Sequence, residues 1–344
     1  MNVKGIATGI TLMLIFSTIP IEGSNKIIQN SIDGKIFYVG GSGPNNYTKI
    51  QDAINNASDG DKIFVFDDSS PYYENLVINK AINLMGENKN TTIIDGKKNG
   101  SVIYIYASNV EISGFSITNS STEWLEGGIK LYHSIHANIH GNILYNNCVG
   151  ILLDSSNYNI IADNILMNNI EEGVRLIDSK SNNVERNTAI CNGAVGITIS
   201  RSSNNKVADN IIGRNTVGIW IWYESENNKI ISNTIYLNLF GMDLSICGKN
   251  KIKENIFKGN VFGITLWWSQ RNIIKNNNFF FNGVDAFFCS SFLNIWLRNF
   301  WDRPRFAPKP IIGVINFFPY YIFLIWFNFD FIPRLFPYGW WLNA

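Results

Sequence analysis

Four indoles carry the chemistry this sequence offers most plainly. Trp220 and Trp222 alternate with isoleucines in "GIWIW", and Trp267 and Trp268 follow in "GITLWW". In a strand, alternate side chains point to opposite faces, so isoleucines turned to a core put both indoles of the first segment on the other face. Flat aromatic rings beside a carboxylate, hydroxyls and a guanidinium suit a sugar chain. The apolar ring faces of the sugar stack on the indoles, and its hydroxyls take hydrogen bonds. Asp243 and Arg175 fall in equivalent segments, "GMDLS" and "GVRLI", and so join Trp220, Trp222 and Trp267 as candidate binding residues.

Other chemistries find weaker footing. Glycosidases need two carboxylates about 5 Å or 6.5–9.5 Å apart. Asp154 and Asp243 lie on the outward face four repeats apart, roughly 19 Å by strand spacing. A second column, Asp163, Arg186, Asp209, Ser232, Glu254, alternates in sign and is expected to be a surface ion-pair ladder. Glu171, Glu172 and Asp178 are expected at turns as solvated charges. No residue is assigned a catalytic role. His133, His136 and His140 in "YHSIHANIHGN" are weak metal candidates, since residues three apart in such strands usually face different sides, and no cofactor is expected. Cys148, Cys191, Cys247 and Cys289 are spaced off the repeat, too far apart for disulfides, and are expected to be free.

The elements that position these residues follow from a repeat. Gly128, Gly150, Gly173, Gly196, Gly218, Gly241 and Gly263 each open an apolar-alternating segment at steps of 22 or 23 residues. Asparagines 142, 164, 187, 210, 233, 255 and 278 recur at the same period. Units this short cannot bury their own apolar face and must stack. The expected fold is all-β: a right-handed parallel β-helix, with the asparagines stacked in an amide ladder. In that register, positions two and four after each glycine face solvent. Trp222 and Trp267 then share a column two coils apart, about 10 Å.

The ends depart from the period. Residues 1–24 carry one lysine and an uncharged apolar stretch, the pattern of a secretory signal peptide. Five N-x-[ST] sequons, at Asn46, Asn56, Asn90, Asn99 and Asn119, agree with export, so a secreted, extracellular or cell-surface location is expected. Residues 25–100 are expected to form a cap. It contains a short amphipathic helix (Ile50, Ala53, Ile54, Ala57) entered through a capping box at Thr48 and Gln51. Coils are expected over 101–302. Residues 303–344 are rich in aromatics, and 311–329 hold no charge, so this segment either seals the last coil or contacts a membrane. A net charge of +1 argues against nucleic acid as partner.

The segment "YTKIQDAINNASDGDKIFVF...YYENLVINKAINLMGENKNTTIID" resembles the N-terminal unit of archaeal secreted β-helix proteins of the pectate-lyase-like superfamily. The repeats resemble the NosD-type (CASH) β-helix family, over roughly residues 36–302. That resemblance implies the β-helix fold and three functions: carbohydrate binding, polysaccharide cleavage by a lyase or hydrolase, or an accessory role in copper-enzyme maturation. The residues favour the first, a non-catalytic carbohydrate-binding or structural module whose partner is an extended polysaccharide or cell-surface glycan.

Overall fold

Each regular coil of the chain contributes one six-residue strand and two three-residue strands, as in Val149–Asp154, Ile160–Ala162 and Ile165–Met167. The computed structural model describes residues 34–317 and 322–339. The signal-peptide expectation, residues 1–24, lies outside them. Every coil pairs in parallel with the next: Ile197 opposite Ile219, Ile219 opposite Met242, Met242 opposite Ile264. The result is a right-handed parallel β-helix, as the repeat predicts.

Inward columns such as Ile199, Ile221, Leu244 and Leu266 are fully buried. The marker glycines are required by close approach. A Cβ on Gly196 would stand 2.7 Å from the carbonyl oxygen of Gly218 and 2.5 Å from the Ile212 side chain. No side chain fits there without moving the coils apart.

The amide ladder runs through Asn142, Asn164, Asn187, Asn210, Asn233 and Asn255. Each backbone N–H donates to the amide oxygen of the next, at 2.9–3.1 Å. It continues through Asn277, not Asn278 as the spacing suggested. Three asparagines in a row blur the register at 276–278; Asn278 opens the following strand, and its side chain bonds the Tyr338 backbone. Asn299 is the last rung, and the buried carboxylate of Asp330 ends the ladder. It accepts from the Asn299 backbone at 2.9 Å and from the Trp301 indole at 3.1 Å.

Helix Ile50–Asn56 buries Ile50, Ala53 and Ile54. The capping box is not formed. The Glu74 carboxylate, from a later segment, accepts instead from the N–H groups of Ile50 and Gln51 at 2.8 and 3.0 Å. At the other end, Lys309–Phe317 and Ile322–Asp330 form an antiparallel hairpin that pairs onto the last coil at Gly313, Val314 and Asp330. Among the described residues no helix is long and apolar enough to cross a membrane.

Candidate functional site

Two columns of one sheet build the site. Parallel pairing sets Arg175, Thr198, Trp220, Asp243 and Thr265 in line, and beside them Ile177, Ser200, Trp222, Ser245 and Trp267. All the candidate binding residues therefore share one face, as the register predicts. The expectation that this whole face meets water fails. Arg175 is 3% exposed, Asp243 9%, Thr198 4% and Thr265 1%. Of these two columns only the indoles and Ser245 reach the surface, half-buried, with Trp268 49% exposed at the edge.

A cavity of about 600 Å³ opens over this face, lined by Trp220, Trp222, Trp267, Trp268, Phe240 and Asp243. The rings of Trp220 and Trp222 stack on each other, 5.2 Å apart and 19° from parallel, which leaves one face of each for a ligand. Trp267 leans on Trp268 at 6.2 Å. Among the described residues of the terminal hairpin, none lines this cavity.

Asp243 is the hub beneath the rings. Its carboxylate accepts from the Ser245 hydroxyl in a short hydrogen bond and from Thr265 Oγ1 at 2.5 Å. The Trp267 and Trp220 side chains lie close enough to favour its charged form as well. With its oxygens taken, Asp243 orients the indoles; it is not the ligand contact its type suggested. Burial pushes its carboxyl above the ordinary aspartate range, against the lowering effect of these donors. The sign of the consequence follows. The folded protein takes up this proton before the unfolded chain does, so stability rises as pH falls from the folded value toward the ordinary one, about 3.9. Tryptophan emission should titrate with a midpoint above that value, and Asp243→Asn should abolish that transition. Emission that titrates unchanged in the variant would remove Asp243 as the hub.

Arg175 is likewise a structural anchor. Its guanidinium pairs with Glu172 in a short ion pair, donates to the Trp124 backbone oxygen at 2.7 Å and lies 5.1 Å from the Trp124 ring. Glu172, expected as a solvated turn charge, is buried beneath it. Burial raises the Glu172 carboxyl above its usual range, and Arg175 opposes that rise. Trp124, absent from the candidate list, roofs a second cavity of about 240 Å³ that shares Trp220 and Trp222 with the first. Its signal in the sequence was length. Eight residues separate Thr118 from Gly127, against three between Tyr145 and Val149 in the next coil. That extra chain is the loop pinned by Arg175.

The groove does not assemble a glycosidase pair. Glu172 sits three coils from Phe240, which opens the strand that carries Asp243, and both carboxylates are engaged internally. Three coils are roughly 14 Å, beyond the range such a pair needs. Elsewhere, the expected surface ladder forms at its first pair, where Arg186 binds Asp163 through two hydrogen bonds of 3.0 Å; Arg186 then turns to Glu185, and Glu254 pairs with Lys253. The four cysteines are free; Cys191 is exposed and the others buried.

Comparison with known proteins decides the family. The profile described as periplasmic copper-binding protein (NosD) matches residues 54–243, more than half of the chain. The chain belongs to the NosD family. No curated protein matches this NosD-family chain individually. Among solved structures it is similar to XylC in complex with xylose (11% identity, 86% of this chain and 73% of that one, TM-score 0.60). It is also similar to the Dettilon tailspike protein (13%, 81% and 74%, 0.55). A third is the Azotobacter vinelandii mannuronan C-5 epimerase AlgE6 A-module (13%, 76% and 81%, 0.54). At these identities the likeness is one of fold. The periplasmic description points to an extracytoplasmic location.

Copper, which the NosD description names, does not fit the residues present. His140 Nε2 is 2.8 Å from Glu111, His133 packs edge-on against Tyr132, and His136 stacks on Tyr158. Among the described residues no three His, Cys, Asp or Glu side chains group as ligands. Thiolate is the form of cysteine that binds metal, and burial pushes the Cys247 thiol up to about 12 and raises Cys148 and Cys289.

Proposed function

We propose that this protein is a secreted or cell-surface, non-catalytic module that binds an extended polysaccharide or cell-surface glycan along the indole groove. The open cavity walled by Trp220, Trp222, Trp267 and Trp268 carries this proposal. Monomeric proteins rarely leave aromatic patches of this extent to water without a ligand. Sugar rings would stack on the free faces of Trp222 and Trp267, about 10 Å apart along one column, near the length of two sugar units. Ser245 lies between them as a hydroxyl within reach of the chain. Two proteins of similar fold are named with sugars, XylC in complex with xylose and the mannuronan C-5 epimerase, which supports a carbohydrate partner in general.

The rival within carbohydrate chemistry is a lyase, hydrolase or epimerase. We expect none of these activities, because both groove carboxylates are locked in internal contacts. Incubation with neutral, uronate and amino-sugar polymers should leave chain length and epimer ratio unchanged while the polymer is retained on the protein. Steady release of reducing or unsaturated ends would make the groove an active site.

A further inference from the structure

We propose that the strand Ile322–Asp330 is a self-pairing edge through which two copies of this chain associate. Along its length it pairs with Lys309–Phe317, and at Asp330 alone with Trp296; among the described residues no other strand meets it. Its outer backbone edge is therefore open. Leu324, Ile325, Trp326 and Phe327 are consecutive and all exposed, Ile325 at 65%. Consecutive residues of a strand face opposite sides, so both faces are uncovered. Natural sheets guard such edges with charge, proline or a bulge. Here no charged side chain occurs from 310 to 329.

A bilayer would cover the side chains but leave the edge unsatisfied. Each unpaired peptide group in hydrocarbon costs several kcal/mol, which is why open sheet edges are not found there. A second strand satisfies both demands. Antiparallel pairing about a two-fold axis is self-complementary, and residues 322–329 carry no charge to repel their copies in the partner strand. A pairing centred between Ile325 and Trp326 sets these two residues opposite each other and Leu324 opposite Phe327. Aliphatic–aromatic pairs of this kind are favourable. The area is adequate. Trp326, Phe327, Phe329 and Phe331, all exposed, leave roughly 300–500 Å² of ring surface uncovered. Leu324, Ile325 and Ile332 carry the total toward the ~800 Å² per partner of a standard interface.

Sedimentation velocity of the full chain across a hundredfold concentration range tests this. The expected result is a monomer–dimer equilibrium, weakened at least tenfold by Ile325→Lys with Phe327→Lys and with an unchanged far-ultraviolet spectrum. Hydrogen exchange on the unaltered chain gives a second readout, with amides of 322–329 becoming protected as concentration rises. A chain that stays monomeric throughout, or a dimer indifferent to both lysines, would overturn the proposal. So would exchange protection that arises only on adding phosphatidylglycerol vesicles, which would assign the edge to lipid.

Discussion

Replacing Trp222 and Trp267 together with alanine should abolish glycan binding while leaving the fold intact. Truncating a binding tryptophan at the centre of a contact typically costs about 2 kcal/mol or more, so two remove at least a thousandfold in affinity. Stability should barely respond. Both rings lie on the outer side of their strands, whereas the core beneath them is Ile221, Leu244 and Leu266, all fully buried. The check is calorimetric titration with the retained polymer, paired with thermal unfolding of the same samples. Binding that survives in a folded double variant would move the site elsewhere. A collapse of stability would mean that the indoles hold the face together.

The second large effect concerns the ladder. Asn210 accepts from both the backbone N–H and the side-chain amide of Asn187, and donates to the Val184 carbonyl at 2.9 Å. Asn210→Ala leaves the buried Asn187 N–H without its acceptor and takes one of its hydrogen bonds from the Val184 oxygen. At about 1–3 kcal/mol for an orphaned buried group, the loss is about 2 kcal/mol. Denaturant unfolding should show it as a lowered midpoint. A change below ~1 kcal/mol would mean that the rungs relax onto one another, and the ladder would then be a consequence of the coil rather than a support for it.

The coil was legible because its constraints repeat. The glycines mark close backbone contacts, the alternating apolar residues mark the core, and the asparagines mark one turn, each confirmed several times over in one chain. Where the repeat was locally ambiguous, as at Asn276–Asn278, the register slipped by one. Two further asparagine ladders went unnoticed: one is Asn159, Asn182, Asn205, Asn228, Asn250, and the other Asn147, Asn169, Asn192, Asn215, Asn238. A serine column, Ser134, Ser156, Ser179, Ser202, was also missed. They share the period, but their residue types recur so often in this sequence that spacing alone did not separate them.

The site was half legible. Strand alternation gave the shared face of Trp220, Trp222, Trp267, Asp243 and Arg175. It could not give depth, because depth depends on what covers the face. The Trp124 loop belongs to no repeat, and its partner Arg175 lies 51 residues away. The same contact turns Glu172 from a turn charge into a buried anion. Likewise, Asp243 reads as a ligand-facing carboxylate until the hydroxyls of Ser245 and Thr265 are seen to occupy it.

A crystal structure of the protein with an oligosaccharide of about six units, from a polymer it retains, tests the central claim most directly. Sugar rings should lie across the coils, stacked on the outer faces of Trp222 and Trp267 and passing over Ser245, with their glycosidic bonds intact. Sugar density on another face of the solenoid, or a cleaved chain in the groove, would contradict the account.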